Sequence, residues 1–82
     1  EYFVYILVSL KDRKYYIGQT ANINERLSAH NRGSVKSTKF RRPLSLAYSE
    51  KCPTKEKAIE REAYFKSFKK TRDLLLFLGV SA

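Results

Sequence analysis

The chain has 82 residues, 43% of them hydrophobic and 13% aromatic, and carries a formal net charge of +9. That length is read as one domain around one small core. The lone cysteine, Cys52, excludes an internal disulfide, no Cys/His cluster has metal-ligand spacing, and no apolar run nears the roughly 18 residues of a membrane span.

In chain order, Tyr2 to Leu10 is an apolar run rich in β-formers. It predicts a strand covered on both faces. It lacks a basic leading region and a small-residue cleavage site, so it is not read as a signal peptide. The chain opens at Glu1 without methionine and is read as lacking a few native residues. Lys11 to Arg13 is a break of hairpin length, and Tyr15 to Gln19 predicts a second, antiparallel strand. Thr20 to Arg32 predicts a helix. Asn22 and Glu25 have capping-box spacing, Ile23 and Leu27 form an apolar i, i+4 pair, and Gly33 suits the stop. Ser34 to Arg42 is a polar, basic connection. Pro43 then leads into a third strand, Leu44 to Tyr48. Thr54 is a fair cap for a helix from about Lys55 to about Lys70, and a further helical piece, Thr71 to Leu78, stops at Gly79. The order β-β-α-β-α-α predicts a small α/β (α+β) domain, with helices on a three-stranded, mainly antiparallel sheet.

Seventeen Lys and Arg stand against eight Asp and Glu. This balance favours a polyanionic partner, most often nucleic acid. Arg32, Lys36, Lys39, Arg41 and Arg42 fall in one acid-free stretch, and Lys66, Lys69, Lys70 and Arg72 follow at the tail of the long helix. Both clusters suit phosphate contacts, and the plainer reading is a solvated face. No recognition helix with an evident base-reading code stands out, which favours recognition of shape over a long sequence site.

"VYI" at Val4 to Ile6, "YIG" at Tyr16 to Gly18, "NERLSAHNRG" at Asn24 to Gly33 and "AIEREAYFK" at Ala58 to Lys66 occur in that order. Together they resemble the GIY-YIG nuclease family, and more narrowly its small stand-alone bacterial branch. The likeness spans almost the whole chain. It implies a catalytic set of Tyr5, Tyr16, Arg26 and His30, with Glu62 holding one Mg²⁺ or Mn²⁺ ion. Gly18 matches the glycine of the second motif. Val4 departs from the first, where the family carries glycine.

Each residue suits phosphodiester hydrolysis, which needs an in-line water, a base, and positive charge at the phosphate. Mg²⁺ prefers oxygen ligands and keeps several waters, so one carboxylate plus phosphate oxygens suffices. Glu62 lies between Ala58 and Phe65 on one side of its helix and Ile59 on the other. Its plainer reading is an i, i+4 pair with Lys66. Arg26 and His30, four apart, share a helical face. Arginine's planar fork suits a pentavalent phosphate. Histidine can orient water, shuttle a proton or bind phosphate. Taken alone, a solvated arginine and a helix-end cation are the plainer readings. Tyr5 is assigned to deprotonating water and Tyr16 to positioning water or phosphate, with the roles exchangeable. The metal, Arg26 and the basic field are expected to favour phenolate. Gly18 is expected to admit the backbone or the substrate closely.

The expected activity is therefore divalent-metal-dependent cleavage of DNA, with RNA not excluded. It is read as structure-selective and linked to repair or recombination. A non-catalytic nucleic-acid-binding module and a partner-dependent component of a repair complex are the alternatives. The expected setting is the cytoplasm of a bacterium, near the nucleoid, as a monomer or weak dimer.

Overall fold

A computed structural model describes residues 1–80. Strand β1 (Tyr2–Ser9) lies between β2 (Tyr15–Thr20) and β3 (Leu44–Cys52), with both pairings antiparallel. Helix α1 (Ile23–Arg32) follows β2. A short 3-10 turn (Lys39–Arg41) leads into β3, and α2 (Lys55–Lys66) and α3 (Thr71–Phe77) complete the order. Among the described residues, no helix is long and apolar enough to cross a membrane.

The near-continuous apolar run of β1 suits its central place, since both of its faces are covered. Val4 and Ile6 meet Ala58 and Phe65 of α2 and Leu74 and Leu75 of α3. Tyr5 and Leu7, of opposite parity, face the other way, where Leu44, Ile23 and Leu27 pack. The sheet therefore divides the molecule into an α2/α3 side and an α1 side.

Helix α1 begins at Ile23, later than the expected Thr20. Thr20 completes β2, and its hydroxyl accepts from the Asn22 N–H at 3.1 Å. The Asn22 side chain in turn accepts from the Glu25 N–H. Half of the capping box is thus present, and the Asn22 N–H is satisfied by Thr20 in place of Glu25. Gly33 ends α1 in the left-handed region, at φ 82°. Strand β3 runs to Cys52, four residues beyond the expected Tyr48. Its second half carries Ser49, Glu50 and Lys51, which hide the alternation, yet it supplies the ladder that pairs with Tyr2 to Tyr5 of β1. A register shift opposite Ile6 and Leu7 leaves Ala47 as the extra residue. Helix α2 stops at Lys66, short of the expected Lys70. There the Ser67 hydroxyl donates to the Tyr64 carbonyl and the Ser67 N–H to that of Ala63.

Candidate active site

The residues that converge on the α1 side begin with Tyr5, the Cα partner of Gly18 across the β1–β2 ladder. Paired residues point to the same face, so the Tyr5 ring lies across the glycine. A Cβ at Gly18 would stand 2.6 Å from the Tyr5 hydroxyl oxygen and 2.7 Å from Cζ. The close approach expected at Gly18, of backbone or substrate, is made here by the Tyr5 side chain. Gly18 is buried, and the space that its missing side chain leaves is filled by Tyr5.

Tyr16 lies two residues along β2, opposite Leu7, and its ring centroid is 6.3 Å from that of Tyr5. The capped start of α1 sets the helix phase, which turns Arg26 and His30 toward these rings. Arg26 Nε donates to the Tyr5 oxygen at 3.3 Å. His30 Nε2 shares a hydrogen bond of 3.1 Å with the same oxygen, and the His30 ring packs edge-on against Tyr16 with centroids 4.9 Å apart. The other ring nitrogen, Nδ1, lies 2.7 Å from Thr38 Oγ1. Tyr5, His30 and Thr38 are all buried, His30 and Thr38 completely.

The electrostatics follow from this packing. Burial pushes the Tyr5 phenol above its ordinary value, and the Arg26 contact offsets that only in part. On the protein's own charges, burial therefore outweighs Arg26 and leaves Tyr5 protonated at neutral pH, whereas the expected phenolate includes the charge of a metal ion beside Arg26 and the basic field. Burial, reinforced by the Arg26 charge, pushes His30 down to about 4, so its imidazole is neutral. The Tyr5 and Tyr16 hydroxyls hold the Arg26 guanidinium above its usual value against the effect of burial.

Glu62 enters from α2. Its carboxylate is close enough to add to the upward push on Tyr5. It is partly exposed and pairs with Lys66 Nζ at 2.7 Å, the i, i+4 contact expected of an ordinary helix. A cleft of about 300 Å³ borders Tyr16 and Lys66 and runs along the β2 edge to Phe68 and Thr71. Among the described residues, no group of three or more His, Cys, Asp or Glu residues is placed to hold a metal ion. A lone, partly exposed carboxylate fits a hydrated Mg²⁺ that completes its shell with phosphate oxygens. It does not fit an all-protein metal cage.

The basic residues divide. Arg32, Lys36, Lys39, Arg42, Lys69 and Lys70 are exposed. Arg41 is turned inward, with Nε on Asp12 at 3.2 Å and a second nitrogen donating to the Tyr15 carbonyl. It ties the 3-10 turn to the β1–β2 hairpin, so Nε and one terminal nitrogen are already engaged. Lys66 is engaged with Glu62.

Thr38 escaped sequence reading because it stands alone in a polar loop with no period to mark it. Asn31 escaped too. Its side chain both donates to the Leu44 carbonyl and accepts from the Leu44 N–H, which ties the end of α1 to β3.

The family profile described as the GIY-YIG catalytic domain matches residues 1–74. The chain belongs to the GIY-YIG family. Its relatives in this nuclease family include a UPF0213 protein of Staphylococcus aureus, 41% identical over 76 residues and covering 92% of each chain. A UPF0213 protein of Staphylococcus haemolyticus is 40% identical over 75 residues, or 90% of each chain. Among solved structures, the solution structure of UPF0213 protein BH0048 from Bacillus halodurans superposes with a TM-score of 0.56 at 31% identity, covering 93% of this chain and 81% of that one. These likenesses place the chain in a branch of short GIY-YIG proteins. Val4, which stands where the family carries glycine, points into the α2/α3 side, away from Tyr5, and is fully buried.

Proposed function

We propose that this GIY-YIG chain is a divalent-metal-dependent endonuclease that hydrolyses phosphodiester bonds in DNA, selects its target by structure, and serves DNA repair or recombination. The observation that carries the reading is the Tyr5 hydroxyl, gripped by Arg26 and His30 over Gly18 with the Glu62 carboxylate nearby. A buried phenol with two nitrogen partners is more than a core aromatic needs. One partner would satisfy its oxygen.

In this reading Tyr5 first loses its phenolic proton to solvent. The phenolate oxygen then accepts the proton of the attacking water as the water oxygen bonds to phosphorus and the P–O bond to the leaving sugar oxygen breaks, that oxygen taking a proton from solvent. Arg26 puts fixed positive charge beside the phosphate oxygens. Tyr16 positions water or phosphate. Glu62 is the residue that would hold the divalent ion, with Lys66 giving way. When bound, the ion supplies positive charge at the phosphate and favours ionised oxygens around it. The exposed lysines and arginines hold the backbone of the substrate.

The Glu62–Lys66 ion pair is the observation that favours a second reading, a nucleic-acid-binding module in which that carboxylate binds no metal.

Cleavage of labelled duplex, flapped, branched and single-stranded DNA, with Mg²⁺ and with EDTA, tests the proposal. The expected result is metal-dependent cutting of one geometry, lost in Glu62→Gln and in Tyr5→Phe while both variants remain folded. Unchanged cutting by Glu62→Gln would overturn the metal assignment. Salt-sensitive binding with no cutting of any substrate would favour the binding module.

A further inference from the structure

The chain of contacts Thr38–His30–Tyr5–Arg26 has a proton order that its burial decides. Thr38 Oγ1 has one hydrogen-bond partner, side chain or backbone, among the described residues: His30 Nδ1, at 2.7 Å. Its hydroxyl proton must therefore go to Nδ1 or to nothing. Thr38 is wholly buried, so water offers no third choice. Were Nδ1 protonated, its N–H would occupy the threonine oxygen and leave the threonine O–H without an acceptor in the interior.

The other end of the chain has an outlet. The Tyr5 oxygen meets Arg26 Nε, which can only donate, and His30 Nε2. Around this oxygen stand Arg26, Tyr16 and Glu62, none of them fully buried. A phenolic oxygen accepts through its lone pairs and donates one proton. If Nε2–H donates, both nitrogens fill acceptor positions and the O–H turns toward the side of Tyr16 and Glu62, whose partly exposed oxygens can accept it directly or through water, an acceptor that Thr38 lacks. If Tyr5 instead donates to Nε2, the unmet proton moves to Thr38, where nothing can receive it.

We infer that Thr38 is a positioning residue that fixes His30 in the Nε2–H tautomer, so that His30 and Arg26 both donate to the Tyr5 oxygen. His30 is then a donor that stabilises negative charge on Tyr5, and it does not receive the Tyr5 proton. The imidazole's weak basicity in this buried place agrees with that assignment. Two converging N–H donors lower the cost of forming phenolate at an oxygen that burial otherwise keeps protonated. The catalytic consequence rests on the proposed endonuclease reading; the tautomer does not.

Long-range ¹H–¹⁵N correlation of the His30 ring near neutral pH reads the tautomer directly, without substrate or metal. The expected result is a proton on Nε2 and a bare Nδ1. A protonated Nδ1 in the native chain overturns the inference. Thr38→Val removes the donor that holds the proton off Nδ1 and is expected to show a fraction of Nδ1–H. Thr38→Ser restores the native pattern. With cleavable DNA, Thr38→Val is expected to lose roughly 10-fold in kcat with KM unchanged, and Thr38→Ser to recover it. A Thr38→Val protein with native tautomer and native kcat overturns the role given to Thr38. If the native chain shows the Nε2–H form and no DNA is cut by any variant, the tautomer assignment stands and the endonuclease reading fails.

Discussion

His30 is neutral in the folded chain because burial and the Arg26 charge push it down to about 4. Unfolded, an imidazole titrates near 6.5. Between those values the unfolded chain binds more protons than the folded one, so stability rises with pH across the window. It is full above about pH 6.5 and falls as pH drops toward about 4, by an amount on the order of 3 kcal/mol. His30→Gln should flatten that slope, as urea unfolding at about pH 7 and about pH 4.5 would show; an unchanged slope would assign the acid sensitivity to carboxylates such as Glu50 and Asp12, both held below their usual range. Gly18 makes a second residue-scale case. Its φ is outside the left-handed region, so alanine suits the backbone, yet the added Cβ would meet the Tyr5 hydroxyl end at 2.6 Å. Gly18→Ala is expected to lose about 1–3 kcal/mol of stability and to displace the phenol from Arg26 and His30. Cleavage should therefore fall more than the folded fraction does, a difference that activity per folded molecule measures.

Among the elements, the basic 3-10 turn invites a test that separates its neighbours. Lys36, Lys39 and Arg42 are exposed, while Arg41 is bound to Asp12 and the Tyr15 carbonyl. Each lost phosphate contact reduces the salt slope of DNA binding by roughly 0.9. Alanine at Lys36, Lys39 and Arg42 together should reduce it by up to about 3, with melting temperature nearly unchanged. Arg41→Ala should do the reverse, costing about 1 kcal/mol of stability and leaving the slope alone. No sequence pattern distinguishes Arg41 from Arg42, because the difference lies in Asp12, 29 residues away on a hairpin. The same limit explains the rest of what was and was not legible. Apolar runs, caps and Gly33 reveal β1, β2 and α1 because those signals are local. The tail of β3 is polar on its surface and exists because β1 needs a partner. Helix geometry alone puts Arg26 and His30 on one face, but their meeting with Tyr5 and Tyr16 was readable only through family likeness. Thr38 reaches His30 across a loop, and no spacing rule carries that contact.

For the whole molecule, the sheet separates what holds the fold from what surrounds the Tyr5 hydroxyl. Val4 and Tyr5 are adjacent in β1 and serve opposite sides: Val4 packs in the cluster under α2 and α3, and Tyr5 in the cluster under α1. On the α2/α3 side an Arg61–Glu50 ion pair, with the Tyr48 hydroxyl donating to Glu50, closes the rim, and Arg61 lies over the Phe65 ring at 4.9 Å. Phe65 borders the cleft beside Tyr16, but none of these groups is a hydrogen-bond partner of Tyr5, Arg26 or His30. Restoring the family's glycine by Val4→Gly should therefore act on stability alone. It removes a buried isopropyl group, leaves a cavity beside Ile6 and loosens the central strand, at a cost of about 3 kcal/mol. Activity per folded molecule should remain within about twofold of the native chain, since additivity holds for sites with no shared partners. Denaturant titration gives the folded fraction at each assay condition, and cleavage of the preferred DNA gives the rate. A Val4→Gly chain that is fully folded yet inactive would show that the two sides are coupled through β1, and that the packing under α2 and α3 sets the position of the Tyr5 hydroxyl.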